Sequence, residues 1–393
     1  MTGRCVTIKV VDLFCGCGGM SLGFMNAGFK VVAGFENWDS AYECYNLNFN
    51  NRGIQMDLSN VERVIERLHE LTPDIIIGGP PCQDFSLAGE QVEGERANLT
   101  YSFAQIVTGY HPQFFVMENV QQVTDSEAYS KAKKLFIQNG YGLTEVVLDA
   151  SFCDVPQKRK RFFCIGALGK QDDFLAIPLL CHQSIFPLTV REYLNNNNIT
   201  FGIDYYYRHP RTYGRRAIFS LDEPSPTIRG VNRPKPANYQ QHPRDPVIPT
   251  NIRSLSYLER AQIQTFPIDF VWSPIVSVSE QMIGNAVPVN LARYVAKALK
   301  EYINNKIDSN SIFFIAWLQE EKGISRKVAG DILSRANRAR KIKLFSNYKV
   351  DNYLSNLENT EDFMKMNKSI QLQVKRAVRL YFEYKSKGDA KDV

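Results

Sequence analysis

Apolar residues in the first half of the chain gather into short blocks: Val6–Phe14 (VTIKVVDLF), Lys30–Phe35, Asp74–Ile77, Phe114–Met117 and Leu143–Leu148. Each is of strand length and rich in Val, Ile, Leu or Phe, the pattern of strands buried on both faces. Between them apolar positions recur at helical spacing, as at Val61, Val64, Ile65 and Leu68, and Met20–Ala27 and Asp39–Asn48 read as helices. Strands alternating with helices predict an α/β fold, a mainly parallel sheet with helices on both faces. Ligands of such sheets bind in the crevice beyond the carboxyl ends of the strands.

Further on the rhythm changes twice. Residues 169–250 are rich in proline, with an asparagine run at 195–198, a tyrosine run at 205–207 and scattered arginines, so a small irregular domain or long insertion is expected. Helical patterning returns at Ser256–Thr265 and after Asn285, so 251–303 should complete the domain begun by 1–168. Residues 304–393 read as a separate helical module.

Charge sharpens this division. From Glu301 onward 18 Lys and Arg face 12 Asp and Glu, which leaves 29 of each sign in the first 300 residues of a chain with 47 basic and 41 acidic residues. A neutral body with a basic end suggests an anionic partner, most commonly nucleic acid. No apolar run reaches the roughly 18–20 residues of a membrane span, and no secretory pattern opens the chain, so the cytoplasm is expected and a membrane partner is not. The eight cysteines sit mostly in apolar, strand-like contexts and should be reduced.

Candidate chemistry begins at Asp12-Leu13-Phe14-Cys15-Gly16-Cys17-Gly18-Gly19, between the first strand and the first helix. Glycines there let backbone amides approach a ligand. The spacing is G-x-G-G, unlike the G-x-G-x-x-G of dinucleotide binders. Glu36, at the end of the second strand, is placed to accept two ribose hydroxyls, and Asp57 to accept from an adenine amino group. An adenosine carrying a carboxylate fits this set, and S-adenosyl-L-methionine is such a molecule. C-x-C without a second Cys/His pair is a poor zinc signature, so no metal is expected and Cys15 and Cys17 read as small side chains in a crowded loop.

Four further stretches carry unusual side chains at strand ends. Gly79-Pro80-Pro81-Cys82 stiffens the chain just before a thiol, which makes Cys82 a nucleophile candidate against the bland reading of a structural cysteine. Glu118 ends an apolar strand, where an unpaired carboxylate is costly. Gln157-Lys158-Arg159-Lys160-Arg161 alternates, sending Arg159 and Arg161 to one side and Lys158 and Lys160 to the other. Ile283-Gly284-Asn285-Ala286-Val287-Pro288 is a tight turn before a helix.

Together GGPPCQDFS, MENV, QKRKRFF and MIGNAVPV, with DLFCGCGG ahead of them, resemble the ordered motif set of the DNA (cytosine-5) methyltransferases of prokaryotic restriction-modification systems, over about Val6 to Leu299. The resemblance implies a Rossmann-like S-adenosylmethionine-dependent fold, with a target-recognition region at 169–250. In this reading Cys82 adds to C6 of a flipped-out cytosine and Glu118 holds N3 and the exocyclic amine. Arg159 reaches O2 and fixes Glu118, Arg161 supports from behind, and Gln83 and Ser86 belong to the loop closing over the base. The implied cofactor residues are Phe14, Cys15, Gly16, Gly18, Gly19, Glu36, Asp57, Pro80, Leu99, Asn285 and Val287. At Asn37 the family often has an apolar or aromatic residue over adenine, and Trp38 follows, so either side chain is a candidate for that role. Gln157, Thr227, Arg229, Asn232 and Arg233 are the implied DNA contacts. Double-stranded DNA is the expected partner, bound by a monomer, with a cognate restriction endonuclease as functional counterpart.

Other classes fit less well. A transfer-RNA methyltransferase of the same superfamily carries a Cys-Phe-Thr element that is absent here, and a zinc deaminase needs H-x-E and P-C-x-x-C. A catalytically silent DNA-binding regulator has no use for Cys82, Glu118 and Arg159 together. The basic tail module leaves extra duplex contact, dimerisation, a nuclease partner or a plain helical cap all open.

Overall fold

The computed structural model describes residues 7–81, 98–210, 214–247, 252–304, 309–345 and 349–388. The sheet is built from β1 (Lys9–Leu13), β2 (Lys30–Glu36), β3 (Gly53–Gln55), β4 (Ile75–Gly78), β5 (Phe114–Asn119), β6 (Tyr141–Asp149) and β8 (Lys160–Leu168), in the order β3-β2-β1-β4-β5-β8-β6. Pairings from β3 through β5 are parallel. β8 runs antiparallel to both β5 and β6, so the sheet is mainly, not wholly, parallel. With three residues, β3 is too short to announce itself as an apolar block.

Helices α1 (Gly19–Asn26), α2 (Asp39–Asn48), α3 (Val61–Leu71), α4 (Asn98–Tyr110) and α5 (Glu127–Gln138) connect these strands. α3 shows why: Asn60 caps it by accepting from the Arg63 amide at 3.3 Å, Val64 and Leu68 are fully buried, and Thr72 ends it in the left-handed conformation. The core between sheet and helices is aromatic, with Phe115 stacked on Phe136 at 4.2 Å and meeting Tyr141 edge-on. The strand order reverses between β1 and β4, whose carboxyl ends therefore diverge around a crevice.

The chain divides into two compact units, Met1–Phe174 with Phe186–Lys297, and Leu175–Ile185 with Ala298–Val393. In the first unit, β7 (Gln157–Lys158) pairs with β11 (Ser225–Pro226), and β9 (Tyr205–Tyr207) with β10 (Ile218–Ser220). α7 (Val190–Asn196) opens with a Thr189–Glu192 capping box, and α8 (Tyr257–Ile263) with the same device at Ser256 and Glu259. α9 (Val276–Asn285) and α10 (Val289–Ile303) return the chain to the sheet.

The second unit consists of α6 (Ala176–Cys181), the end of α10, α11 (Ser309–Glu320), α12 (Arg326–Ile342), α13 (Val350–Glu358), α14 (Glu361–Met364) and α15 (Lys368–Gly388). Its core joins Phe314, Leu318, Ile332, Leu333, Ala336 and Ala377. α6 arrives from within the irregular 169–250 segment. Asn337 Nδ2 lies 3.0 Å from Cys181 Sγ, and Lys341 Nζ donates to the carbonyls of Cys181 and Gln183. Among the described residues no helix is long and apolar enough to cross a membrane.

Candidate active site

The crevice beyond β1 and β4 is a cavity of about 790 Å³. It gathers Phe14, Cys15, Gly16, Gly19, Glu36, Asn37, Trp38, Asp57, Pro80, Leu99, Asn285 and Val287, with Glu118, Arg159 and Arg161 at the same cavity. Gly18 is not in its wall. Its φ of 96° caps α1, and a Cβ there would fall 2.2 Å from the Phe49 ring, so only glycine serves. Phe14 at φ 57° is a side chain held in the left-handed region, strain of the kind that clusters at ligand sites.

Glu36 is fixed by backbone amides. Its Oε2 accepts from Gly16 N at 2.8 Å, and Oε1 from Asn37 N and Trp38 N, each at 2.9 Å. A carboxylate has about four acceptor sites, so capacity remains for a ligand hydroxyl. Asp57 Oδ1 accepts from Ser59 N at 2.9 Å. Trp38 is half-buried against the hydrophobic cluster that includes Tyr45, Phe266 and Phe270, whereas Asn37 is exposed. Burial pushes the Cys15 and Cys17 thiols well up, consistent with neutral space-filling side chains.

Asp12 lies at the base of this cavity, 1 % exposed. Its Oδ2 accepts from Ser21 N at 3.0 Å and Ser21 Oγ at 2.7 Å, and Oδ1 has no partner among the described residues. Burial raises its carboxyl to about 7, partly opposed by the Ser21 hydrogen bonds. A raised folded value means stability present below the unfolded value and lost as pH climbs through the folded one. Between pH 4 and 7 the protein should therefore lose stability relative to Asp12→Asn, by about 4 kcal/mol for a shift of this size. Urea denaturation of both proteins across that range measures the difference, and parallel profiles would refute it.

At the end of β5, Glu118 Oε1 pairs with Arg161 Nε at 3.0 Å, with both side chains largely buried. Burial raises the Glu118 carboxyl, while Arg161 and then Arg159 pull it back down. Alternation along 158–161 holds: Lys158 and Lys160 are exposed, Arg159 and Arg161 turn inward. The partner of Glu118 is Arg161, however, and not Arg159 as the sequence suggested. Arg159 is fully enclosed and donates to the carbonyls of Ile228, Gly284 and Ala286 at 2.9, 3.0 and 3.1 Å, leaving its Nε without a partner among the described residues. Cys82, Gln83 and Ser86 lie outside the described residues. The chain leading to them is fixed nonetheless: Asn119 Nδ2 donates to Pro80 O at 3.1 Å, and Gly79 passes so close that a Cβ would sit 3.2 Å from Glu118 Oε2. Asn119 was not singled out in the sequence, although it stands inside MENV.

A second cavity, of about 1180 Å³, is walled by cations, Lys158, Lys160, Arg161, Arg208, Arg215, Arg216, Arg229 and Arg244, with Asp149 the one acid among the described residues lining it. Val120 and Arg161 border both cavities. Of the expected DNA contacts, Thr227 and Arg229 line this cleft, though Thr227 Oγ1 also donates to Lys158 O and Arg229 to His209 O. Asn232 Nδ2 donates to Leu255 O at 2.8 Å, and Arg233 is exposed. Gln157 needs correction. It is fully buried, its Nε2 donating to Gln264 Oε1 at 2.7 Å and its Oε1 accepting from Ile228 N at 2.9 Å. Gln264 continues the bridge to the carbonyls of Ile283 and Ala286. Arg208, Arg215, Arg216 and Arg244 were visible in the sequence only as scattered basic residues.

Comparison with known proteins accounts for this arrangement. The family model of the C-5 cytosine-specific DNA methylases matches residues 8–301. The chain is 50% identical over 305 residues to the type II methyltransferase M.HindV of Haemophilus influenzae, spanning 77% of this chain and 99% of that protein. It is also 50% identical over 298 residues to M.HgiDI of Herpetosiphon aurantiacus, with 76% and 96% covered. In fold it is similar to the S. pombe Dnmt2 methyltransferase, with a TM-score of 0.59 at 18% identity over 76% of this chain and 99% of that one. The chain belongs to the C-5 cytosine-specific DNA methylases, enzymes that use S-adenosyl-L-methionine as methyl donor.

Proposed function

We propose that the protein methylates C5 of a cytosine flipped out of duplex DNA, through a transient bond between Cys82 Sγ and C6. The observation that carries this reading is the Glu118–Arg161 pair, which stands where the adenosine-sized cavity and the cationic cleft share Val120 and Arg161. A base entering from DNA in the cleft would meet Glu118 directly.

When bound, S-adenosylmethionine supplies a methyl group on a sulfonium. Glu36 is assigned to its ribose hydroxyls and Asp57 to the adenine amino group, with Trp38 covering the ring because it is the aromatic, half-buried one of the two candidates. The glycine-turn amides and the free acceptor of Asp12 suit the charged methionine end. Cys82, as thiolate, adds to C6 and pushes electron density onto C5. Glu118 holds N3 and the exocyclic amine as charge develops, and the unpartnered Nε of Arg159 is assigned to O2. Once C5 has accepted the methyl group it loses its proton to a base, the C5–C6 double bond re-forms and the sulfur leaves.

Residues 169–250 are assigned to reading the target, with Thr227, Arg229 and Arg233 toward DNA. The type II names of the relatives support a protective role beside a restriction endonuclease; action in the cytoplasm and as a monomer are part of the same reading. Tritiated S-adenosylmethionine with duplex DNA, beside transfer RNA, tests the substrate: label on DNA is expected, and label on RNA alone would overturn it.

A further inference from the structure

The second unit carries an excess of positive charge that its own fold leaves unanswered. Among the described residues, Lys322 pairs with Glu383, Lys365 with Glu361, Lys375 with Glu358 and Arg379 with Asp351. α12 is different. Among the described residues, Arg335, Arg338 and Arg340 have no acidic side chain within ion-pair distance, and Asp331 is the one acidic residue between 322 and 343. The helix buries Ala329, Ile332, Leu333 and Ala336; 100° steps carry Arg335 and Arg338 about 110° and 170° from the centre of that stripe, whereas Arg340 returns to its side and is exposed near the helix end. Arg335 and Arg338 are a turn apart. Burial, and then Arg335, push the Arg338 guanidinium down. Like charges one turn apart disfavour the free protein and become an asset only when an anion meets them.

We propose that Arg335 and Arg338 of α12 together hold the phosphate backbone of duplex DNA without regard to sequence. The family's substrate is itself a polyanion, while the first 300 residues carry no net charge and the remainder carries all of the +6. About three quarters of this chain already matches M.HindV over 99% of its length, so most of the second unit is an addition to the methylase. Guanidinium forks suit phosphate oxygens, and contacts of that kind position a protein on DNA without specifying bases.

The test is the salt dependence of binding of the full chain to a random-sequence duplex several helical turns long. In Arg335→Gln/Arg338→Gln, the slope of log affinity on log salt should become shallower by about 1–2, since each lost phosphate contact removes roughly 0.9. Methyl transfer at saturating target DNA should be unchanged, and the double Arg→Lys variant at 335 and 338 should keep the parent slope. An unchanged slope in the glutamine variant, as an acidic protein partner would give, overturns the proposal. If that variant does not fold, the single Arg335→Gln carries the test, with a slope shallower by about 1 expected and no change overturning it. Methylation by the parent enzyme, measured alongside, separates this failure from a failure of the catalytic reading.

Discussion

Cys82→Ser is expected to lower methyl transfer by at least about 10⁴-fold while leaving the affinity for S-adenosylmethionine within about twofold. A serine hydroxyl matches the thiol in size but is almost wholly protonated near neutral pH and cannot deliver an anion to C6. The cofactor contacts assigned above, at Glu36, Asp57, Trp38 and the glycine turn, lie on segments of the chain remote in sequence from position 82. Duplex carrying 5-fluorocytosine gives the sharper readout. Fluorine cannot leave as a proton does, so the parent enzyme should become irreversibly attached and Cys82→Ser should not. Trapping by the serine variant, or none by the parent, would remove the covalent step altogether.

Second in size, Glu118→Gln should reduce kcat by about 10²- to 10⁴-fold with little change in the KM for S-adenosylmethionine. The amide keeps the shape but abolishes the negative charge opposite Arg161, and it presents an NH₂ where an acceptor is required. Removing one partner also strands the Arg161 guanidinium in a nearly closed site, so a lower melting temperature is expected beside the kinetic loss. Rapid-quench measurement of adduct formation on fluorinated duplex separates the two effects. The variant should still be trapped, but slowly. Trapping at the parent rate would mean that Glu118 does not assist addition to the ring.

Much of this site was legible because a parallel sheet collects its loops at one edge. The motifs at Asp12, Glu36, Pro80 and Glu118 all follow strands, so their order along the chain translates into neighbourhood around one cavity. Strand alternation likewise told which of Lys158 to Arg161 turn inward. It does not say where a long guanidinium ends, and so the partner of Glu118 was misjudged: the carbonyls of Ile228, Gly284 and Ala286, distant in sequence, claim Arg159. Gln157 failed for the same reason. A polar residue beside four cations looks solvent-facing until Gln264, more than a hundred positions later, satisfies it. The membership of α6 in the second unit depends on contacts with Asn337 and Lys341 that no local pattern contains.

The Gln157–Gln264 bridge joins the strand before Arg159, the first residues after Thr227 and the turn at Ile283–Ala286 through uncharged amides alone. Neutral dipoles out of reach of solvent neither titrate nor attract a counterion cloud. Added salt should weaken any hold of the cationic cleft on a polyanion, whereas this clasp should be indifferent to it, so release of DNA there would leave the frame on which the next encounter depends intact.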